Sequence, residues 1–282
     1  MAVLQGVLFG FLALILWGGA DILTRILINK ISKRKMLFFA QLFSGLSILI
    51  IALILGEIKS LLVFAVVYLI ILSLVNLVGT LTMYKAIQNK GLALSTPIVN
   101  AYAFITVILG IIFYGESVTF LQVFAIAMII GGILVLSMKK GVKIHFDSSF
   151  IFAFFSMLMW GFFFFMIKVP TLIFGAVFTI LMIKAFTTLF TFPISLEKKV
   201  RLFDTKPKYL LLVILMGILE GFAFMAFSYG VAIAPVSIVT PISSAVPVLS
   251  VFSGVLLFKE KLTRKQVFGI AIAILGMIVI AL

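Results

Sequence analysis

The feature that most constrains this chain is a near-unbroken succession of apolar stretches, each long enough to cross a lipid bilayer and separated from the next by a short charged or turn-like break. Of its 282 residues, 65% are hydrophobic and 11% charged. That is more apolar surface than a water-soluble globule can hide from solvent. Because a span needs about 20 mostly apolar residues, hydropathy predicts an all-α membrane protein of ten transmembrane helices. They fall at 4–28, 36–56, 61–84, 92–114, 119–138, 149–169, 172–196, 208–231, 236–258 and 264–282. Little is left over for a separate soluble domain. The first run, VLQGVLFGFLALILWGGADIL, has neither a basic leading region nor a small-residue cleavage site. It is expected to remain as a helix rather than be removed as a signal peptide.

A formal net charge of +14 would point a soluble protein toward nucleic acid, but here the lysines and arginines cluster in the turns between spans. In those turns they meet anionic lipid headgroups, so the expected partner is the bilayer, with no nucleic acid. There is no cysteine, and the single histidine, His145, falls in a loop. A thiolate metal site or a histidine-based catalytic triad therefore has no parts. No metal, no cofactor and no enzymatic activity are expected. The pattern G-x-x-x-x-G-K-[ST] is absent as well, so any transport would run on a gradient or by facilitated diffusion rather than on ATP. A monomer and a homodimer are both compatible with the sequence.

Two halves of the chain resemble each other. Laid together without a gap, 96–137 and 240–281 pair Pro97 with Pro241, Gly110 with Gly254, Glu116 with Glu260, Thr119 with Thr263, Gln122 with Gln266 and Gly132 with Gly276. Apolar bias alone would pair Ile with Val, not these polar and glycine positions. Upstream, after shifts of a residue or two, Trp17 and Gly18 pair with Trp160 and Gly161, Arg25 with Lys168, and Tyr84 with Tyr229. The reading is an internal duplication, with a five-helix repeat over 1–138, a linker loop over 139–147 and a second five-helix repeat over 148–282.

Five helices per repeat is an odd number, which sends the second copy into the membrane from the opposite face. Charge agrees with this. Lys30, Lys33, Arg34 and Lys35 follow the first span, whereas the counterpart loop near 169–177 holds no charge. In the second copy the basic loops are Lys198, Lys199, Arg201, Lys206 and Lys208, then Lys259, Lys261, Arg264 and Lys265; their counterparts, GEIKS and GES, hold only Lys59. Opposite bias on equivalent loops is what inverted insertion produces under the positive-inside rule. The same rule puts the basic turns in the cytoplasm and both chain ends outside.

Several motifs read as architecture. Thr119-x-x-Gln122 and Thr263-x-x-Gln266 are capping boxes at helix starts, and Glu116 and Glu260 just before them suit a helix N-terminus or a lysine partner. Pro97, Pro241 and Pro247 fall inside expected spans, where they would kink the helix. Gly6 with Gly10, and Gly217 with Gly221, have the small-x-x-x-small spacing that lets helices approach closely.

Ionisable residues at mid-depth carry more information, because a charge near the bilayer centre costs roughly 2.5 kcal/mol or more unless it is paired. Glu220 lies near the middle of the eighth span, where its repeat counterpart Val75 is apolar; Lys184 lies inside the seventh, where its counterpart is Gln41. A Glu220 and Lys184 pair would lower the cost of both, and substrate or a proton could compete for it. Asp21 precedes Arg25 by one turn and suits a local ion pair. Trp17, Asn76, Tyr84, Asn100, Tyr102, Trp160, Tyr229 and Ser244 join Lys184 and Glu220 as candidate substrate-binding residues. Trp17 and Trp160 sit near span centres, away from the headgroup belts, and equivalent positions of an inverted repeat meet near its axis.

Together these features resemble the EamA branch of the drug/metabolite transporter superfamily. The resemblance rests on a Trp-Gly in the first helix of each copy (LILWGG and LMWGFF), a proline in each fourth (STPIVNAYA and VTPISSAVP) and a glutamate turn before each fifth (FYGESVTF and LFKEKLTR). It implies a multi-pass protein of the cytoplasmic (inner) membrane, a secondary transporter and often an exporter. Amino acids, other metabolites or drugs would pass through a central cavity by alternating access. Family members commonly carry an arginine early in the second helix of each copy, where this chain has Gln41 and Lys184. The resemblance also implies cytoplasmic termini, opposite to the charge distribution. Spans one, three, four, six, eight and nine are the expected lining, with Glu220 as a proton-coupling site or cation partner. A flippase for lipids or lipid-linked headgroups, built on the same architecture, is the alternative.

Overall fold

The computed structural model describes residues 1–27, 30–60, 63–90, 98–137, 148–196, 206–259 and 261–281, with no strand among them. Pro97, His145, Glu260 and the linker 139–147 lie outside the described residues. The helices are α1 (Ala2–Leu27), α2 (Lys33–Leu55), α3 (Val63–Lys90), α4 (Tyr102–Tyr114), α5 (Phe120–Ser137), α6 (Ser148–Met166), α7 (Lys168–Phe174), α8 (Ala176–Ser195), α9 (Pro207–Ile233), α10 (Val236–Ser243), α11 (Val246–Phe258) and α12 (Arg264–Val279).

Eight stretches among the described residues are long and apolar enough to span a bilayer: α1, α2, α3, α5, α6 with α7, α8, α9, and α10 with α11. A shorter apolar helix runs over Ile98–Tyr114. The last expected span is α12, whose 16 residues reach about 24 Å at 1.5 Å per residue, against a hydrocarbon core of roughly 30 Å. Large apolar side chains stand on the outside of these helices, with Phe64 81%, Phe120 88% and Leu256 77% exposed. Lipid is the solvent that makes such a surface stable.

The helices pack in pairs that recur when the two repeats are exchanged. α1 lies on α9 as α6 lies on α3, α2 lies on α9 as α8 lies on α3, and α4 touches α6 as α1 touches α10 and α11. The pairs α2 with α8 and α5 with α12 map onto themselves, and α4 also packs on α10 of the other repeat. Glycine permits the closest of these approaches. A Cβ on Gly132 would sit 2.6 Å from the Ala273 nitrogen and the Gly269 oxygen, fastening α5 to α12. The two predicted glycine pairs do the same work: Gly6 abuts Ala234, Gly10 abuts Val239 and Ile242, Gly217 faces Ala40 and Gly221 faces Ser44.

Both capping boxes form. The Thr119 amide donates to Gln122 Oε1 at 2.9 Å and the Gln122 amide to Thr119 Oγ1 at 3.2 Å, with Thr263 and Gln266 repeating the arrangement at the start of α12. The prolines depart from expectation. The span over 236–258 is broken rather than kinked: α10 stops at Ser243, and Pro247 stands in the first turn of α11. A proline has no amide to donate and its ring crowds the carbonyl four residues back, so the first turn of a new helix accommodates it where a helix interior would not. Pro241 does lie inside α10.

Candidate functional site

The interior between the repeats is organised around one charged group and one chain of aromatic rings. Lys184, projecting from α8, donates to Glu220 Oε1 on α9 at 2.6 Å and to Gln41 Oε1 on α2 at 2.9 Å. Gln41 Nε2 donates back to the same Glu220 oxygen at 2.9 Å. The Lys184 side chain is fully buried whereas that of Glu220 is 21% exposed. The ammonium also stands 4.1 Å from the centroid of Phe224, over the ring face. A buried cation is thus neutralised by a carboxylate, a side-chain amide and a π-face, while the carboxylate keeps an opening of its own. Tyr84 of α3 lies within electrostatic reach of Glu220.

Gln41 and Lys184 are equivalent positions of the two repeats, and they touch. That contact is expected of residues lying where two related halves meet. The counterpart relation is readable in the sequence, but Gln41 is not among the candidate residues named from it.

From Phe224 the rings continue without a gap. Trp17 of α1 meets Phe224 edge-on at 5.0 Å and Phe164 of α6 at 5.6 Å. Phe164 stacks on Tyr102 of α4 at 5.0 Å, and Tyr102 meets Trp160 edge-on at 5.8 Å. The two indoles from equivalent positions are therefore bridged by two rings. Phe164 and Phe224 escaped sequence reasoning, since nothing distinguishes them from the many other phenylalanines of the chain before the helices are packed. Two donors in this region, Trp160 Nε1 and Asn100 Nδ2, are buried without a hydrogen-bond partner. Such a donor costs free energy until an acceptor reaches it.

The other candidate residues make contacts of their own. Tyr229 stacks on Phe9 at 5.7 Å on the flank where α1 meets α9. With Phe9, Leu12, Leu16, Phe222, Met225 and Ala226 it lines an apolar cavity of about 340 Å³. Ser244 is buried at the junction of α10 and α11, donating to the Pro241 carbonyl at 2.8 Å. Asn76 is buried on α3 and its carbonyl accepts from Thr80 at 3.0 Å. Asp21 of α1 is exposed and accepts a hydrogen bond from Ser250 of α11, with Arg25 near enough to act on its charge.

A second charged cluster stands at one end of the helices. Glu116, just past α4, accepts from Lys168 at 2.6 Å and from the backbone amides of Val236 at 2.8 Å and Ser237 at 2.9 Å. Burial alone would raise its carboxyl; the bonds from Lys168 and the two amides outweigh burial and hold it below the usual carboxylate range. A lysine partner and a helix N-terminus were both expected for this residue. The helix it caps is not its own but α10 of the other repeat.

A sequence profile of the EamA-like transporter family matches residues 4–138 and again residues 147–282. A solved structure titled only "Crystal structure of protein" is similar with a TM-score of 0.81 at 16% identity, covering 97% of this chain and 95% of that one. At that identity the likeness speaks for the fold alone. No curated protein matches the chain.

Proposed function

The chain belongs to the EamA-like transporter family, and on that premise we propose that it is a ten-helix secondary transporter of small organic solutes working by alternating access. Its two five-helix repeats, 1–138 and 148–282, are inserted in opposite senses in the cytoplasmic membrane. The solute binds against the aromatic chain from Trp17 to Trp160, and Glu220 serves as the proton-coupling group or as the partner of a cationic substituent. Export is the favoured direction.

One observation carries this reading. A partly open carboxylate shares one oxygen with a fully buried lysine and a glutamine at the meeting point of the repeats. A fully enclosed ion pair has no route of exchange, whereas an opening on one side admits a proton or a competing cation. The unpartnered donors of Trp160 and Asn100 add the demand for an acceptor-bearing solute. Apolar and zwitterionic molecules suit walls built of rings with few charges.

The test is flux. Purified protein in liposomes, first screened by thermal shift against metabolites, should move the stabilising solute faster when a pH gradient is imposed, and Glu220→Gln should abolish that acceleration. Flux indifferent to the gradient would remove the proton from the mechanism and leave Glu220 a binding group. A flippase is the second reading, favoured by the apolar cavity between α1 and α9 with half-exposed Leu12 on its wall. Movement of a fluorescent lipid between leaflets, without flux of soluble solutes, would select it.

A further inference from the structure

Glu116 is tied to the opposite repeat by more than its charge. Its two oxygens divide between Val236 and Ser237, the first two residues of α10, while Lys168 lies on the same oxygen as Val236. Gly110 is one turn back on α4, and a Cβ there would come within 2.8 Å of both Glu116 Oε2 and Val236 Cγ1. The glycine leaves room for this contact. The surroundings are drawn in at the same level: Lys168 lies 5.3 Å from the Tyr114 ring centroid, Tyr114 donates to the Phe165 carbonyl at 2.9 Å, and Tyr68 donates to the Met166 carbonyl at 2.9 Å. The Glu116 and Lys168 side chains are 5% and 16% exposed. Toward the other end of α1, Asp21 is exposed and its partner Ser250 only half-buried.

The two ends of the bundle are therefore unlike. Among the described residues, one is closed by a carboxylate of the first repeat seated on a helix start of the second, and at the other the carboxylate that reaches across to the second repeat, Asp21 on Ser250, is exposed. α4 and α10, the helices joined by Glu116, are lining elements under the transporter reading, on which this inference rests. We propose that Glu116 is a latch, closing the pathway at the sparsely charged end by capping α10 across the repeats, and that its release from α10 and Lys168 opens that end. A contact between two rigid elements that exists in one arrangement and not in the other biases the equilibrium between them.

Because the chain has no cysteine, single introduced cysteines report on each end without background. Val107 lies one turn before Gly110 on α4 and is 7% exposed. Val251 on α11 is its repeat equivalent. In liposomes treated with a membrane-impermeant maleimide on both sides, Glu116→Gln should raise the labelling rate of Val107→Cys about tenfold, as a population shift of ordinary size would. It should lower the rate at Val251→Cys. Lys168→Met should act in the same direction, and serves if the glutamine variant fails to fold. Unchanged labelling at Val107→Cys, or a rise at both positions together, would overturn the latch, since loss of a purely structural cap loosens both ends alike. Labelling needs no substrate. Reciprocal labelling in a protein that moves no solute would count against the transporter reading and not against the latch.

Discussion

Lys184 and Glu220 form the most consequential pair of side chains in the molecule, because neither has a low-cost alternative partner at that depth. Removing one member of a buried pair strands the other and typically costs about 3–5 kcal/mol. Partial exposure of Glu220 moves the expectation toward the lower end of that range. Lys184→Met alone and Glu220→Leu alone should each lower the unfolding midpoint in detergent. The double variant should lose less than the sum, with a coupling of roughly 1–3 kcal/mol in the cycle. Simple additivity in thermal or chemical denaturation would mean that the pair is not coupled. This pair was legible in the sequence, since two opposite charges at mid-depth have few ways to be tolerated. The third member was not, because an amide such as Gln41 reveals itself only when its neighbours are known.

At the scale of single elements, the symmetry of the repeats reaches the backbone itself. α4 ends at Gly115 and α11 at Lys259, equivalent positions that both adopt the left-handed conformation, with φ of 62° and 53°. Glycine does this without a steric penalty, whereas a residue with a Cβ loses roughly 1–2 kcal/mol there. Lys259→Gly should therefore raise the thermal midpoint, by the equivalent of about 1 kcal/mol, part of the relief being offset by the greater freedom of glycine in the unfolded chain. A lower midpoint would mean that the lysine side chain contributes more than its backbone costs. Helix starts were equally legible, because capping boxes are local hydrogen-bond patterns written within four residues. The break at Ser244 and Ala245 was not: a proline signals a disturbed helix, but whether the chain bends or restarts depends on what packs beside it.

For the whole molecule, two signals bear on which end faces the cytoplasm. The basic turns favour both termini outside, while the family precedent favours both inside, and the positive-inside rule acts on the loops of the chain at hand. In intact cells, Ser60→Cys should react with an impermeant maleimide and Lys206→Cys should react only after permeabilisation. The reverse result would place both termini in the cytoplasm and put the Glu116 end on the inner side. Either outcome leaves the packing unchanged, because the orientation of the whole molecule in the membrane alters no contact between its helices.

The sequence alone determined that this chain lives in a bilayer, that it holds two related halves, and that Glu220 and Lys184 are opposite charges at mid-depth whose pairing would lower the cost of both. These properties follow from transfer free energies and local spacing, which are carried by each segment on its own. Only the tertiary structure decided which aromatic residues form the path between Trp17 and Trp160, that Gln41 completes the charged group, that Tyr229 belongs to the flank, and that Glu116 caps a helix of the opposite repeat. Those are contacts between segments far apart in sequence, and in a chain where nearly every segment is apolar the pattern of one helix says little about which face meets which neighbour.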